Sequence, residues 1–227
     1  MPTLDWLKGE FNYGYDSGDV LTPLQDPVRD AEERLIGGSY ARVVEKAVAP
    51  NLRPDSRVME LGPGRGSWSR AILELLPHGQ LHVFDFQDAA QWLEPGRYEG
   101  RLTCHRVADN SFREAPASFF DFFWSFGVLC HCNVSLIAEI LANSLSRMKP
   151  GGLAAHQFAD WEKLDGYGWE RGGIPLEFKS LPDDEMWWPR NDGQTMIRLA
   201  ADAGWEVLDP DLGLLGRDGL ILLRRPL

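Results

Sequence analysis

The sequence predicts an α/β protein, a doubly wound, mostly parallel sheet with a C-terminal antiparallel hairpin. Three observations predict it. Short apolar runs alternate with helical patterns along most of the chain, as strand–helix–strand units do. A glycine-rich turn joins the first of these runs to a helix. The last two runs, residues 205–208 and 220–223, have no helical segment between them. A parallel crossover needs about a dozen residues or more, so this final pair is expected to be antiparallel.

The elements follow in chain order. Residues 1–38 begin with a polar stretch of Gly, Asp, Pro and scattered aromatics, read as an irregular arm. A helical pattern spans about 31–48, and Pro50 stops it. Residues 57–61 are a short buried strand, and Gly62-Pro63-Gly64-Arg65-Gly66 is a loop. Residues 67–76 form a helix ended by Pro77-His78-Gly79. Strands are expected at 81–85, 102–107 and 119–126. Residues 134–148 are an amphipathic helix with Leu136, Ile137, Ile140, Leu141, Leu145 and Met148 on one face, closed by Lys149-Pro150-Gly151-Gly152. A fifth strand covers 153–158, and a last helix covers 193–203. No internal repeat or low-complexity tract interrupts this order. The arm at 1–38 is expected to cap a main domain at 39–227, and an insertion at about 160–192 to cover the acceptor side of its site.

Composition narrows the function. The chain has 227 residues, 44% hydrophobic and 25% charged, with a net charge of −11, which suits a globular protein rather than a disordered one. A nucleic-acid backbone is bound by Lys and Arg that displace counterions, so the acidic balance argues against that partner. No stretch approaches the roughly 20 apolar residues needed to span a bilayer. The start lacks a basic segment followed by an apolar run. Three cysteines, Cys104, Cys130 and Cys132, do not make a disulfide framework. A cytoplasmic protein is expected, acting on a small-molecule or carbohydrate partner, and a homodimer is compatible with the chain.

The chemistry concentrates at Glu60-Leu61-Gly62-Pro63-Gly64-Arg65-Gly66. Glycine tolerates positive φ and has no side chain, so a ligand can approach the backbone here. In an open parallel sheet, this turn sits at the carboxyl-end crevice. A purely structural turn and a dinucleotide loop remain alternatives. The dinucleotide fingerprint G-x-G-x-x-G fits at Gly62 and Gly64, but its third glycine falls on Ser67. Glu60 would also place an acid near a pyrophosphate. Preferential binding of NAD(H) is what the dinucleotide reading predicts.

At this point the chain resembles the class I S-adenosylmethionine (SAM)-dependent methyltransferases, from about Ser39 onward. Residues 60–66 look like that family's first motif, E/D-x-G-x-G-x-G. The resemblance implies a Rossmann-like class I methyltransferase fold with SAM as methyl donor and S-adenosylhomocysteine as product. It implies Glu60, Gly62, Gly64 and Gly66 at the donor. Asp85, 19 residues after Gly66, would bind the ribose hydroxyls, since a carboxylate accepts two hydrogen bonds from a vicinal diol. Asp109 would meet the adenine amino group, with Phe86 and Asn110 flanking the ring. Taken one at a time, each Asp could instead be a helix cap or turn residue.

The fourth strand runs on through Ser125-Phe126-Gly127-Val128-Leu129-Cys130-His131. Many small-molecule members carry V-L-H-H here, and this chain replaces the first histidine with Cys130. Ser125 and Phe126 fall at the donor by the same resemblance. In some members that methylate sugars and phenols, a histidine in this stretch is the general base, which makes His131 the candidate. Its ordinary pKa near neutrality suits proton removal, and a helix-capping or loop-orienting role is the alternative. The N/D-P-P-Y motif of nucleic-acid and glutamine methylation is absent. Cys130-His131-Cys132 does not read as a metal site, because zinc ligands are normally spaced by two or more residues.

Acceptor recognition is expected in insertions. One is the arm around Phe11–Asp19 in sequence. The other is 160–192, holding Trp161, Trp169, Trp187 and Trp188; aromatic faces suit rings and cations, and they also pack cores. His156 and Asp160 fall on the acceptor side, with Asp160 a second candidate catalytic residue. The expected activity is methyl transfer to a small-molecule or sugar hydroxyl. The alternatives are small-molecule N-methylation and a SAM-binding protein without transfer.

Overall fold

The computed structural model describes residues 4–227. Seven strands form one sheet: β1 (Arg57–Leu61), β2 (Gln80–Asp85), β3 (Leu102–Arg106), β4 (Phe120–Ser125), β5 (Met148–Phe158), β6 (Glu206–Asp209) and β7 (Gly219–Arg224). Their order is β3-β2-β1-β4-β5-β7-β6. Strands β1 to β5 pair in parallel, and β7 runs antiparallel to both β5 and β6. The expected hairpin is thus present, with β7 inserted between β5 and β6.

Helices cover both faces: α1 (Leu4–Glu10), α2 (Pro27–Ile36), α3 (Tyr40–Val43), α4 (Ser67–Leu75), α5 (Ala90–Leu93), α6 (Val134–Leu145), α7 (Trp161–Tyr167) and α8 (Gly193–Asp202). Successive strand residues point to opposite sides, and the sequence supplies an apolar residue for each. Val58, Phe122 and Trp124 pack in one layer with Val44, Trp68 and Ile72. Met59, Phe123 and Ile221 pack in the other with Ile137, Leu141 and Met196. Each such side chain contributes about 1.5–3 kcal/mol when fully buried.

The helical pattern at 31–48 resolves into two helices. Gly37, at φ 70°, ends α2 by donating its N–H to Glu33 O, and α3 then continues through a π turn at Val44–Val48 and a 3₁₀ turn at Ala49–Asn51. The signals were local: Asp26 caps α2 by accepting from Val28 N and Arg29 N, Pro27 opens it, and Gly37 closes it. The fifth strand also begins earlier than expected. Its partner in β4 moves from Phe120↔Met148 to Phe122↔Leu153, so residues 149–152 form a bulge in which Gly151 has φ 76°.

Candidate active site

The carboxyl ends of β1, β2, β4 and β5 open onto a cavity of about 390 Å³, where ligands bind in such sheets. The arm, the glycine loop, the β4–α6 connection and the insertion all line it. Helix α4 starts at Ser67 directly after the loop, with Gly66 as its N-cap. Gly62 and Gly64, both at positive φ, line the cavity. A side chain at Gly64 would collide with the Tyr15 carbonyl, and one at Gly62 with Val128. Gly66 stands back from the cavity, its bare backbone filled against by Leu93.

The predicted donor residues divide. Asp85 and Phe86 line the cavity, as do Asn110 and Phe126. Asp85 Oδ1 accepts from Gln87 N at 2.9 Å, and burial raises its pKa. Asn110 is 2% exposed, and its Nδ2 has no partner among the described residues. Asp109 does not reach the cavity. It accepts from Ser111 N at 2.9 Å and pairs with Arg113 on the outside, because a short acid in this turn satisfies the local backbone first. Of the two neighbours, Asn110 rather than Asp109 is therefore the polar residue that faces the cavity.

Glu60 is also corrected. It lies under the loop, 2% exposed, and accepts from Ser69 Oγ at 2.5 Å. Burial pushes its pKa up to about 8, and it does not line the cavity. The charge argument against a pyrophosphate consequently falls away, and the misplaced third glycine alone separates this loop from the dinucleotide fingerprint. Ser125 lies inside the sheet, its Oγ 2.8 Å from His156 Nδ1. His156 is fully buried against Phe123, and burial drives its pKa to about 3. It is a core residue rather than an acceptor-side one.

His131 does line the cavity. Its Nδ1 is 2.8 Å from the Trp187 carbonyl. A carbonyl only accepts, so Nδ1 carries the proton and Nε2 presents a lone pair. Burial lowers its pKa to about 4, opposed by the Trp187 carbonyl and assisted by nearby Arg217. The ring stands 4.7 Å from Phe11 of the arm and 5.3 Å from Trp188 of the insertion. Asp160 is not among the residues that line the cavity. It caps α7, accepting from Glu162 N and Lys163 N, the usual use of an Asp before a helix.

Two of the four insertion tryptophans, Trp187 and Trp188, line the cavity. Trp161 and Trp169 pack edge to face at 4.6 Å. Cys130 and Cys132 border the cavity as free thiols, and among the described residues no cluster of three or more His, Cys, Asp or Glu could hold a metal ion. No helix among the described residues is long and apolar enough to cross a membrane.

Sequence reasoning missed Tyr15, Glu32, Tyr40 and Arg217 as individual lining residues. Tyr15 donates to Glu32 Oε1 at 2.5 Å. Its backbone carbonyl accepts from Arg65 N at 2.8 Å, which clamps the arm to the glycine loop. A flag existed for the arm in its aromatics. None existed for Arg217, which comes from the connection between β6 and β7.

Comparison with known proteins adds the family. A family model described as a methyltransferase domain matches residues 31–209. No curated protein matches the chain. Among solved structures, the PH0226 protein from Pyrococcus horikoshii OT3 superposes with a TM-score of 0.64 at 13% identity, covering 91% of this chain and 95% of that one. A SAM-dependent methyltransferase from Aquifex aeolicus gives 0.60 at 15%, covering 88% and 94%. The cyclase SpnF also gives 0.60 at 15%, covering 95% and 88%. At such identities the likeness establishes the fold, and a fold hosts several chemistries. The family match rests instead on sequence across well over half the chain, a span that includes the loop, the acid that ends β2 and the β4 motif, and by it this protein belongs to the methyltransferase domain family.

Proposed function

We propose that the protein is a SAM-dependent O-methyltransferase for a small-molecule or sugar hydroxyl, with His131 as general base. The carrying observation is the Nδ1–Trp187 hydrogen bond at a cavity that Gly62, Gly64 and Asp85 also line. It leaves Nε2 as an acceptor in a neutral imidazole, which is what removal of a hydroxyl proton requires.

The residues present suit the donor. Asn110 Nδ2 is a buried donor without a protein partner, and burial leaves such a group about 1–3 kcal/mol short until an acceptor arrives. Asp85 would accept from the ribose diol, Asn110 would donate to an adenine ring nitrogen, and Phe86 would pack on the ring. When bound, SAM supplies a methyl group on a sulfonium centre, so transfer is an in-line displacement. The chain's task is then to position the acceptor and exclude water. We assign the arm and the insertion to that covering role, since both border the cavity and both touch His131; residues 1–3 of the arm lie outside the described residues.

The test is calorimetry with S-adenosylhomocysteine and NADH, followed by product formation on hydroxylated phenols, sugars and amines. Micromolar binding of the first alone supports the donor. His131→Ala is expected to cut O-methylation by about 100- to 10,000-fold with donor affinity unchanged. Methylation of an amine at an undiminished rate in that variant refutes the base role and favours N-methylation. Binding of NADH alone refutes the donor assignment.

A further inference from the structure

Among the described residues that line the cavity, Arg217 is the one Lys or Arg, and it is held from three directions. Its Nε and Nη2 donate to the two oxygens of Asp218 at 2.8 and 2.9 Å. Its Nη1 donates to Gly172 O at 2.8 Å. Its guanidinium lies over the Trp188 ring, 4.5 Å from the centroid. Asp218 is fully buried and also accepts from Gln157 Nε2 at 2.7 Å, and Gln157 Oε1 in turn accepts from Gly127 N at 2.9 Å. The guanidinium is therefore fixed in the wall before any ligand arrives.

A guanidinium has five N–H groups. Three are used here, which leaves one on each terminal nitrogen without a protein acceptor among the described residues. A rigid planar cation with spare N–H groups matches a carboxylate. Trp188 lies against both groups, 4.5 Å from the Arg217 guanidinium and 5.3 Å from the His131 ring, which sets them at the same end of the cavity. The other charged lining residues are the acids Glu10, Glu32 and Asp85. With Asp218 already balancing the guanidinium, these acids disfavour a doubly charged phosphate more than a singly charged carboxylate, which the two spare N–H groups of Arg217 can receive.

Building on the methyltransferase reading above, we propose that Arg217 is the acceptor-specificity residue and that the acceptor is a hydroxyl compound carrying a carboxylate, which seats on Arg217 while its hydroxyl faces His131. Asp218 and Gln157 act as positioning residues that hold the guanidinium. Arg217 also ties the insertion to the sheet, so loss of activity alone would not separate binding from packing. Discrimination between a carboxylate and its uncharged amide does, because packing is common to both.

The test is calorimetry on the full chain loaded with S-adenosylhomocysteine. The probes are para-hydroxybenzoate, para-hydroxyphenylacetate and lactate, each beside its primary amide. At least one acid should bind about 10- to 100-fold tighter than its amide. Arg217→Lys, which keeps a charge for Asp218, should shrink that ratio, and Arg217→Gln with Asp218→Asn should abolish it, both with donor affinity retained. Equal binding of every acid and its amide by the unaltered protein overturns the proposal without needing any variant to fold. So does a ratio that survives both variants. If the protein fails to bind S-adenosylhomocysteine yet still prefers an acid over its amide, the donor reading fails and the Arg217 site stands.

Discussion

Glu60 stands at the most legible motif of the chain, yet its state was not legible. The motif predicts an acid before the loop. Only the fold buries it beneath Ser69 and raises its pKa to about 8. An acid whose folded pKa exceeds its unfolded value stabilises most at low pH. That contribution is lost as pH rises, here from about 4.5, the unfolded value, through about 8. Glu60→Gln keeps a hydrogen-bonding side chain and removes the titration. Its melting temperature relative to the unaltered protein is expected to improve steadily from pH 5 to pH 8, by about 2–4 °C for each kcal/mol recovered. A difference that does not change with pH would mean that Glu60 is ionised in the folded state. His131 and His156 act on the acid side. Both have folded values below the ordinary 6.5, at about 4 and about 3, so unfolding takes up protons and stability falls as pH drops below about 6.5. Asp109 and Asp160 illustrate the opposite failure. Their spacing was right for a functional acid, but an Asp beside free backbone N–H groups satisfies those first, and sequence does not tell which use prevails.

At the scale of elements, local signals succeeded where periodicity and punctuation agreed. Helix α8 ends with Gly204 just beyond its apolar face, whereas α6 ends at Leu145 and the expected last helical residue, Met148, instead opens β5, because residues 149–152 belong to that strand's bulge. The stretch 31–48 was misread as one helix because its apolar spacing continues across Gly37-Gly38, although the glycine pair was visible. Helix α6 matters to the site, since it begins at Val134, three residues after His131. Asn133 caps it, accepting from Leu136 N at 2.7 Å. Asn133→Ala is expected to cost about 1 kcal/mol, lowering the melting temperature by about 2–4 °C, while Asn133→Asp keeps most of it. An equal loss in both variants would show that the cap contributes little. The arm and the insertion were legible only as aromatic-rich segments without a period. Their placement depends on contacts such as Tyr15 O with Arg65 N and Arg217 with Gly172 O, each between residues far apart in the chain.

For the whole molecule, the cavity couples donor binding to stability, because a ligand that binds only the folded chain stabilises it by mass action. S-adenosylhomocysteine at about 100 times its dissociation constant should add about 2.7 kcal/mol, which thermal melts read as a rise of several degrees. On the proposed role of Asp85 at the ribose, Asp85→Ala should reduce that rise through loss of a charge-assisted hydrogen bond of about 1.5–3 kcal/mol. An undiminished rise in the variant would remove Asp85 from the donor site. The sequence by itself determined the alternation of strand and helix, the sheet with its terminal hairpin, the loop at Gly62 and Gly64, and the family. These depend on short-range pattern: period, glycine at strained turns, and apolar runs of strand length. The tertiary structure alone decided which polar residues face the cavity. It put Asn110 there and turned Asp109 outward, buried Glu60, gave Asp160 to a helix end, fixed the tautomer of His131 through Trp187, and brought Arg217 into the wall. Orientation and burial are set by partners dozens of residues away, and a chain read in order carries no record of them.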